Sequence, residues 1–335
     1  MTKVRSAITA SDVAREAGVS RSAVSRAFTP GASIESQRRH HILQIAQQLG
    51  YRPNALARSL VKSRNGGHTG LVAVVMGEFD NPFQPYFFAQ LTRALQAQGR
   101  VPMLVMADSN GQLDEALDRL IAYQVDAAII AAGGLSPEAT EAFLSLGIPA
   151  VLLGRESRNR AVPAILTDNF NVGAMAARYL CEQGCVAPAF IAGRSDGQAS
   201  QERQAGFLAT LAVQGRAPIA VLENQDYSQD SGFQSAERLL RLHPGVDGVF
   251  CACDALAMGA QAAFRTANIA IPQSIRLIGC DDVPQASARG IQLTTIAQPV
   301  STMVDAAMAA LNASINGEVV EHCLRLPPHL IQRST

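Results

Sequence analysis

Four residues within the first thirty positions have the types and spacing to read a polar surface. Wound on a helix, residues 20 to 28 place Arg21, Ser22, Ser25 and Arg26 within about 140° of arc and Ala23, Val24, Ala27 and Phe28 opposite. The second face suits a core. The first could donate bidentate arginine bonds to guanine O6 and N7 in a DNA major groove, with serines on phosphates or base edges; the alternative is an ordinary solvated face. Other chemistries lack their residues. The six cysteines, at 181, 185, 251, 253, 280 and 323, form no pair of Cys-x-x-Cys motifs with zinc spacing and read as reduced, mostly buried thiols. The six histidines show no metal-like pairing, no Gly-x-Gly-x-x-Gly follows Met76-Gly77-Glu78, and no Gly-x-Ser-x-Gly elbow occurs. Neither a metal, a cofactor nor catalysis is expected.

The elements that must position this face carry explicit signals. Thr9-Ala10-Ser11-Asp12 has capping-box form, with Ile8 and Val13 spaced for a hydrophobic staple, so a first helix is expected from about Ala10. Gly18 suits a left-handed helix end, Val19 can pack inward, and Ser20 can cap the second helix. A third helix, opened by Ser33 and stopped by Gly50, places Ile42, Ile45, Ala46 and Leu49 on one stripe. This is a helix-turn-helix with a supporting helix. In Tyr51-Arg52-Pro53-Asn54-Ala55-Leu56-Ala57-Arg58-Ser59-Leu60, Pro53 can start a helix of only about two turns, which is marginal alone in water. Residues 64–70 then have linker composition.

Charge follows the same division. Residues 1–64 hold eleven Lys/Arg and three Asp/Glu, whereas residues 65–335 hold seventeen and twenty-five, so a net charge of zero conceals a basic arm on an acidic body. From residue 71 short apolar runs, such as 71–76, 101–106, 126–131, 150–153, 189–192, 248–251 and 276–279, alternate with helical stretches. That alternation implies parallel sheets covered by helices, and its length suggests two lobes with a ligand cleft between them. The expected organisation is an all-α helix-turn-helix domain over 1–52, a hinge helix and linker over 53–69, and a two-lobed α/β domain over 70–335. Its first lobe is expected at about 70–160 plus 288–325 and its second at about 161–287 plus 326–335. No apolar run is long enough to span a bilayer and the N-terminus lacks an apolar signal core, so a cytoplasmic protein is expected.

Asp12-Val13-Ala14-Arg15-Glu16-Ala17-Gly18-Val19-Ser20, Val24-Ser25-Arg26 and Leu49-Gly50-Tyr51-Arg52-Pro53-Asn54-Ala55-Leu56-Ala57-Arg58-Ser59-Leu60 resemble the lactose-repressor family of bacterial transcription regulators. The resemblance continues through Asn81-Pro82-Phe83, Arg203-Gln204-Ala205-Gly206-Phe207, Asp254-Ala255-Leu256-Ala257-Met258-Gly259 and Gly279-Cys280-Asp281-Asp282, and so covers essentially the whole chain. It implies a periplasmic-binding-protein-like effector domain and a homodimer on double-stranded operator DNA. It implies base reading by Arg21, Ser22 and Arg26, backbone positioning by Thr9, Ser20 and Ser25, and a DNA-induced hinge helix with Asn54, Ala57 and Leu60 as contacts. Leu60 would be the minor-groove wedge, the alternative being packing within its own domain. It maps Arg203 and Asp281 onto ligand-hydroxyl contacts, for which the alternative is a structural ion pair. Phe83 and Tyr227 match ring-stacking positions that could equally be core, and Asp168-Asn169 matches an Asp-Asn pair whose alternatives are a cap and a contact.

The chain departs from the resemblance where relatives often carry Tyr, Asn and Asp and it has Cys280, Cys253 and Gly154. Cys253 is therefore an effector-site candidate, as is Arg155, which would favour an acidic or phosphorylated ligand if it entered the cleft and is otherwise a solvated residue. Thr29-Pro30 replaces a frequent Asn and puts one phosphate contact in doubt. The small-molecule effector is accordingly a sugar, sugar acid or sugar phosphate. A sugar-type binding protein with no DNA role is the competing class, against which the missing signal peptide and the basic headpiece count. No C-terminal heptad helix follows Ile331, so the expected assembly stops at the dimer.

Overall fold

The computed structural model describes residues 8–29, 31–52, 68–77, 79–106, 113–131, 137–156 and 162–335. The chain divides into two compact units, Met1–Thr69 and Gly70–Thr335.

In the first unit the helices are α1 (Ala10–Glu16), α2 (Arg21–Ala27) and α3 (Ser36–Leu49). Thr9 and Asp12 close a reciprocal capping box on α1, and Ser20 Oγ accepts from Ala23 N–H to start α2. Gly50 ends α3 at φ 70°, a left-handed conformation that glycine adopts without steric cost. The expected opening of α3 at Ser33 is corrected: the helix starts at Ser36, with Glu35 at its N-cap and no side-chain capping bond. A capping residue works only one position before the first turn, and Ser33 lies too far upstream. Val13, Val24, Ile42 and Ala46, drawn from the three helices, form a core, against which Phe28 and Tyr51 meet edge to face at 5.6 Å.

In the second unit the strands are β1 (Leu71–Met76), β2 (Val101–Met106), β3 (Ala127–Ile130), β4 (Ala150–Leu153), β5 (Ala164–Thr167), β6 (Pro188–Ile191), β7 (Ala220–Leu222), β8 (Gly248–Cys251), β9 (Arg276–Asp281), β10 (Thr294–Ala297), β11 (Cys323–Leu326) and β12 (His329–Ile331). The helices are α4 (Phe83–Ala97), α5 (Leu113–Ala122), α6 (Pro137–Ser145), α7 (Asn169–Glu182), α8 (Gln198–Val213), α9 (Gln229–Leu242), α10 (Asp254–Thr266) and α11 (Val300–Asn316). One sheet runs β11-β5-β4-β3-β1-β2 and the other β12-β10-β9-β8-β6-β7. All pairings are parallel except that of β12 with β10. Central strands such as Leu71-Val72-Ala73-Val74-Val75-Met76 are buried along their whole length, because helices cover both sheet faces.

The passages between lobes lie later in the chain than the sequence placed them. β5 pairs with β4, so the first lobe continues to Thr167 rather than ending near 160. β10 pairs with β9 and belongs to the second lobe, although 288–325 was assigned wholly to the first; only α11 and β11 from that range return to the first lobe. Leu326 likewise ends β11 in the first lobe instead of opening the last second-lobe segment. Four-residue apolar runs such as β5 and β10 show that a strand exists, but sheet membership depends on partners remote in sequence.

Candidate functional site

On α2 the two faces separate as their spacing requires. Ala23, Val24 and Ala27 are buried, whereas Arg21, Ser22, Ser25 and Arg26 are exposed. The hydroxyls also have local work: Ser20 Oγ lies 2.9 Å from Ser22 Oγ while it caps α2, and Thr9 Oγ1 donates to Asp12 Oδ2 at 2.7 Å. That bond holds the Asp12 carboxyl below the ordinary carboxylate range. A residue missed in the sequence, Arg39 on α3, donates from Nε to the Ala27 carbonyl at 3.0 Å and from its terminal nitrogen to the Thr29 carbonyl at 3.3 Å. It satisfies acceptors at the C-terminal end of α2, where carbonyls lack helical partners and cations are favourable. The available signal was a basic residue on the helix that must support α2. Asn54, Ala57 and Leu60 lie outside the described residues.

The second constellation lies between the lobes, in a cavity of about 130 Å³. Five candidates from distant parts of the sequence line it: Phe83 at the start of α4, Arg203 on α8, Tyr227 before α9, Cys253 before α10 and Asp281 at the end of β9. Close helix packing sets the arginine. Gly206 on α8 backs onto the Phe170 carbonyl of α7, and Gly173 on α7 backs onto the Arg203 carbonyl; a Cβ at either place would overlap backbone. The approach brings Arg203 Nε within 2.9 Å of Asn169 Oδ1, and the guanidinium also donates to the Ala252 carbonyl. Its Nη1 lies 3.8 Å from Asp281 Oδ1.

Asp281 is buried and occupies an unusual backbone position, with φ 129° followed by φ 56° at Asp282. Consecutive non-glycine residues at positive φ carry conformational strain, which surrounding structure must hold in place. Gln298 Nε2 donates to Asp281 Oδ1 at 2.6 Å, and Thr167 Oγ1 donates to Gln298 Oε1 at 2.7 Å, linking the two lobes through the crossover after β10. Among the described residues Asp281 Oδ2 is buried without a hydrogen-bonded partner. Asn81 and the Asp254 amide approach the carboxylate closely enough to favour its charge, but neither meets Oδ2 with hydrogen-bonding geometry. Burial raises the Asp281 pKa, with Arg203 opposing the shift. Behind it, fully buried Asp254 accepts from Thr295 Oγ1 at 2.5 Å and Val283 N–H at 2.9 Å, and burial beside Asp281 lifts its pKa to about 7. Burial also pushes the Tyr227 phenol up to about 12, so it is neutral at physiological pH.

Two open alternatives resolve by position. Asp168 is the cap of α7, accepting from Asn171 N–H at 3.1 Å, whereas Asn169 lines the cavity and holds Arg203. The expectation that Arg155 enters the cleft is corrected. It is 8% exposed, does not line the cavity, and donates to the Asp196 carbonyl at 3.2 Å. Gly154, with φ 76°, faces the cavity in its place. Arg194, Gln84 and Gln298 were missed because no motif marks them, and Asn81 stood in the Asn81-Pro82-Phe83 landmark without an assigned role; only the folded loops bring them to this wall.

Both units match family models. Residues 9–54 match bacterial regulatory proteins of the lacI family, and residues 69–319 match the periplasmic binding proteins and sugar binding domain of the LacI family. The chain is 26% identical to catabolite control protein A of Priestia megaterium, the alignment covering 97% of this chain and 98% of that one. It is 27% identical to the ribose operon repressor of Halalkalibacterium halodurans, with 97% and 96% covered. Among solved structures it is similar to the transcriptional regulator CelR in complex with cellobiose, with a TM-score of 0.73, 28% identity and coverage of 98% and 99%. It shares the fold of the lac repressor dimer bound to operator and the anti-inducer ONPF, with a TM-score of 0.86, 24% identity and coverage of 98% and 99%. Helix-turn-helix headpiece, two-lobed α/β body and matches over nearly the full length lead to one conclusion: the chain belongs to the lacI family of bacterial regulatory proteins.

Proposed function

We propose that this regulator is a repressor whose affinity for operator DNA is set by a small hydroxylated effector bound between its lobes. The observation that carries the reading is the convergence of Phe83, Arg203, Tyr227, Cys253 and Asp281 on one interlobe cavity, with a carboxylate oxygen left open to a donor. A carboxylate that accepts and amides that donate or accept suit a ligand rich in hydroxyls. Two similar proteins, a ribose operon repressor and a regulator in complex with cellobiose, support a sugar-type ligand.

In this reading residues 1–52 bind DNA, with Arg21, Ser22 and Arg26 on base edges and Thr9, Ser20 and Ser25 on the backbone. Residues 53–69 form the hinge, with Asn54, Ala57 and Leu60 as its contacts. The protein acts in the cytoplasm as a homodimer on a near-palindromic site and catalyses no reaction. Ligand favours one arrangement of the lobes, and that arrangement brings the paired hinge segments together or spreads them. A coupling of about 1–3 kcal/mol changes operator affinity roughly 5- to 150-fold. Relief of repression is the proposed sign.

Operator binding is to be measured as a salt-dependent mobility shift with and without candidate sugars. The expected result is specific binding that a sugar weakens, with that response absent in Asp281→Ala. A sugar response that persists unaltered in the variant would move the pocket elsewhere.

A further inference from the structure

The interlobe cavity is bordered by arginines, yet each is engaged by the protein. Arg203 is held by Asn169, the Ala252 carbonyl and Asp281. Arg194, at the cavity wall, directs Nε and one terminal nitrogen onto the Asp196 carboxylate at 2.9 and 2.7 Å, a bidentate pair. The fork is local. Arg194 and Asp196 lie in the tight turn between β6 and α8, where Gly197 N–H donates to the Arg194 carbonyl at 3.1 Å. The Asp196 carbonyl receives Arg155, so this one residue, itself outside the cavity wall, engages two of the three neighbouring guanidiniums.

The opposite charge keeps an open acceptor. Asp80, Asp226 and Asp281 all line the cavity; Asp226 Oδ1 accepts from Ser228 N–H at 2.9 Å and Asp281 Oδ1 from Gln298 at 2.6 Å, whereas Asp281 Oδ2 is buried with no hydrogen bond among the described residues. A ligand there must bring a donor to that oxygen, since a buried acceptor left unsatisfied keeps its desolvation penalty uncompensated. A carboxylated or phosphorylated ligand would instead meet carboxylates, facing an arginine whose fork is already occupied.

We propose that Asp196 is a specificity-determining residue: by clamping Arg194 it makes the cavity select neutral, hydrogen-bond-donating ligands and exclude their anionic analogues. The inference rests on the reading of this cavity as the effector site. Asp196 acts through Arg194 and is a positioning residue. Asp196→Asn keeps an acceptor but removes the charge that holds the guanidinium, so Arg194 can turn toward an anion; Asp196→Glu restores the carboxylate.

The test uses the full-length protein and calorimetric titration with neutral pentoses, hexoses, disaccharides and polyols, together with their aldonate, uronate and phosphate counterparts. The parent should bind at least one neutral compound, and its anionic counterpart about tenfold or more weakly, the scale of one charge-assisted hydrogen bond. In Asp196→Asn that ratio should fall toward one or invert, and in Asp196→Glu it should return. Three results would overturn the proposal: an anion bound by the parent as tightly as its neutral form, an unchanged ratio in Asp196→Asn, or no neutral compound bound by the parent. Arg203→Ala, with Asp281→Asn as a milder second variant, separates the two readings. Binding that survives both variants lies outside the cavity and refutes the effector reading itself. Binding lost in them but indifferent to Asp196 refutes only the selectivity.

Discussion

The headpiece and the interlobe cavity both depend on arginine and use it in opposite ways. Arg21 and Arg26 stand exposed on a helix whose other face is core, so their charge remains in water until a partner displaces it. Arg203 is 5% exposed, with Nε and one terminal nitrogen met by Asn169 and the Ala252 carbonyl and its charge faced by Asp281 at 3.8 Å. The first arrangement costs the folded chain little and leaves its donors available to a partner, which the proposed function identifies as DNA. The second is part of the fold, because burial of an ion is tolerable only when charge and hydrogen bonds are both answered. A surface arginine can therefore be exchanged with loss of recognition alone, whereas removal of a buried one disturbs stability and recognition together.

The largest expected effect tests that contrast from the buried side. Arg203→Ala leaves Asp281 without its cation and should destabilise the effector domain by about 3–5 kcal/mol. Denaturant unfolding checks this, and a loss under about 1 kcal/mol, within the range of an exposed pair, would erase the distinction between the two regions.

A second effect sharpens the cavity side. Burial and neighbouring Asp281 disfavour the charge of Asp254 and push its pKa up to about 7, against an ordinary carboxylate value of 3.8. The folded chain thus binds more protons than the unfolded chain between about pH 4 and 7, so this group's contribution makes stability fall as pH rises through that window. Asp254→Asn should flatten the dependence, with its amide still able to meet Thr295 and Val283. Unfolding midpoints across pH 4.5 to 8 that show the same slope in parent and variant would contradict the assignment.

On the exposed side the effect is smaller and falls on binding alone. Arg21→Ala or Arg26→Ala should lose about 1–3 kcal/mol of operator affinity and little nonspecific affinity. Thermal stability should change by no more than about 0.5 kcal/mol, as for ordinary surface changes. Titrations against operator and random DNA would show equal losses if these arginines only neutralise phosphate.

The headpiece was legible because its determinants are local. A capping box spans Thr9 to Asp12, Ser20 caps the next turn, and the exposed polar face follows from helical periodicity over nine residues. The opening of α3 was misread because Ser33 is a good capping residue by type, while the start of a helix depends on where its first turn packs. In the body, strand and helix alternation made the fold class readable, and family landmarks marked Arg203 and Asp281. Lobe membership of β5 and β10 was not readable, since hydrogen-bond partners from distant segments decide it.

The sequence by itself determined the division into basic headpiece and acidic body, the caps and faces of α1 and α2, and the parallel α/β class, all of which rest on composition or on spacings within a few turns. Only tertiary structure decided that Arg155 turns to the Asp196 carbonyl, that Arg194 borders the cavity with its fork closed, and that Asp281 keeps one oxygen open. These outcomes depend on close approach between segments far apart in the chain, such as α7 against α8 across Gly173 and Gly206. A charged side chain takes its role from whichever partners that packing brings within about 3 Å.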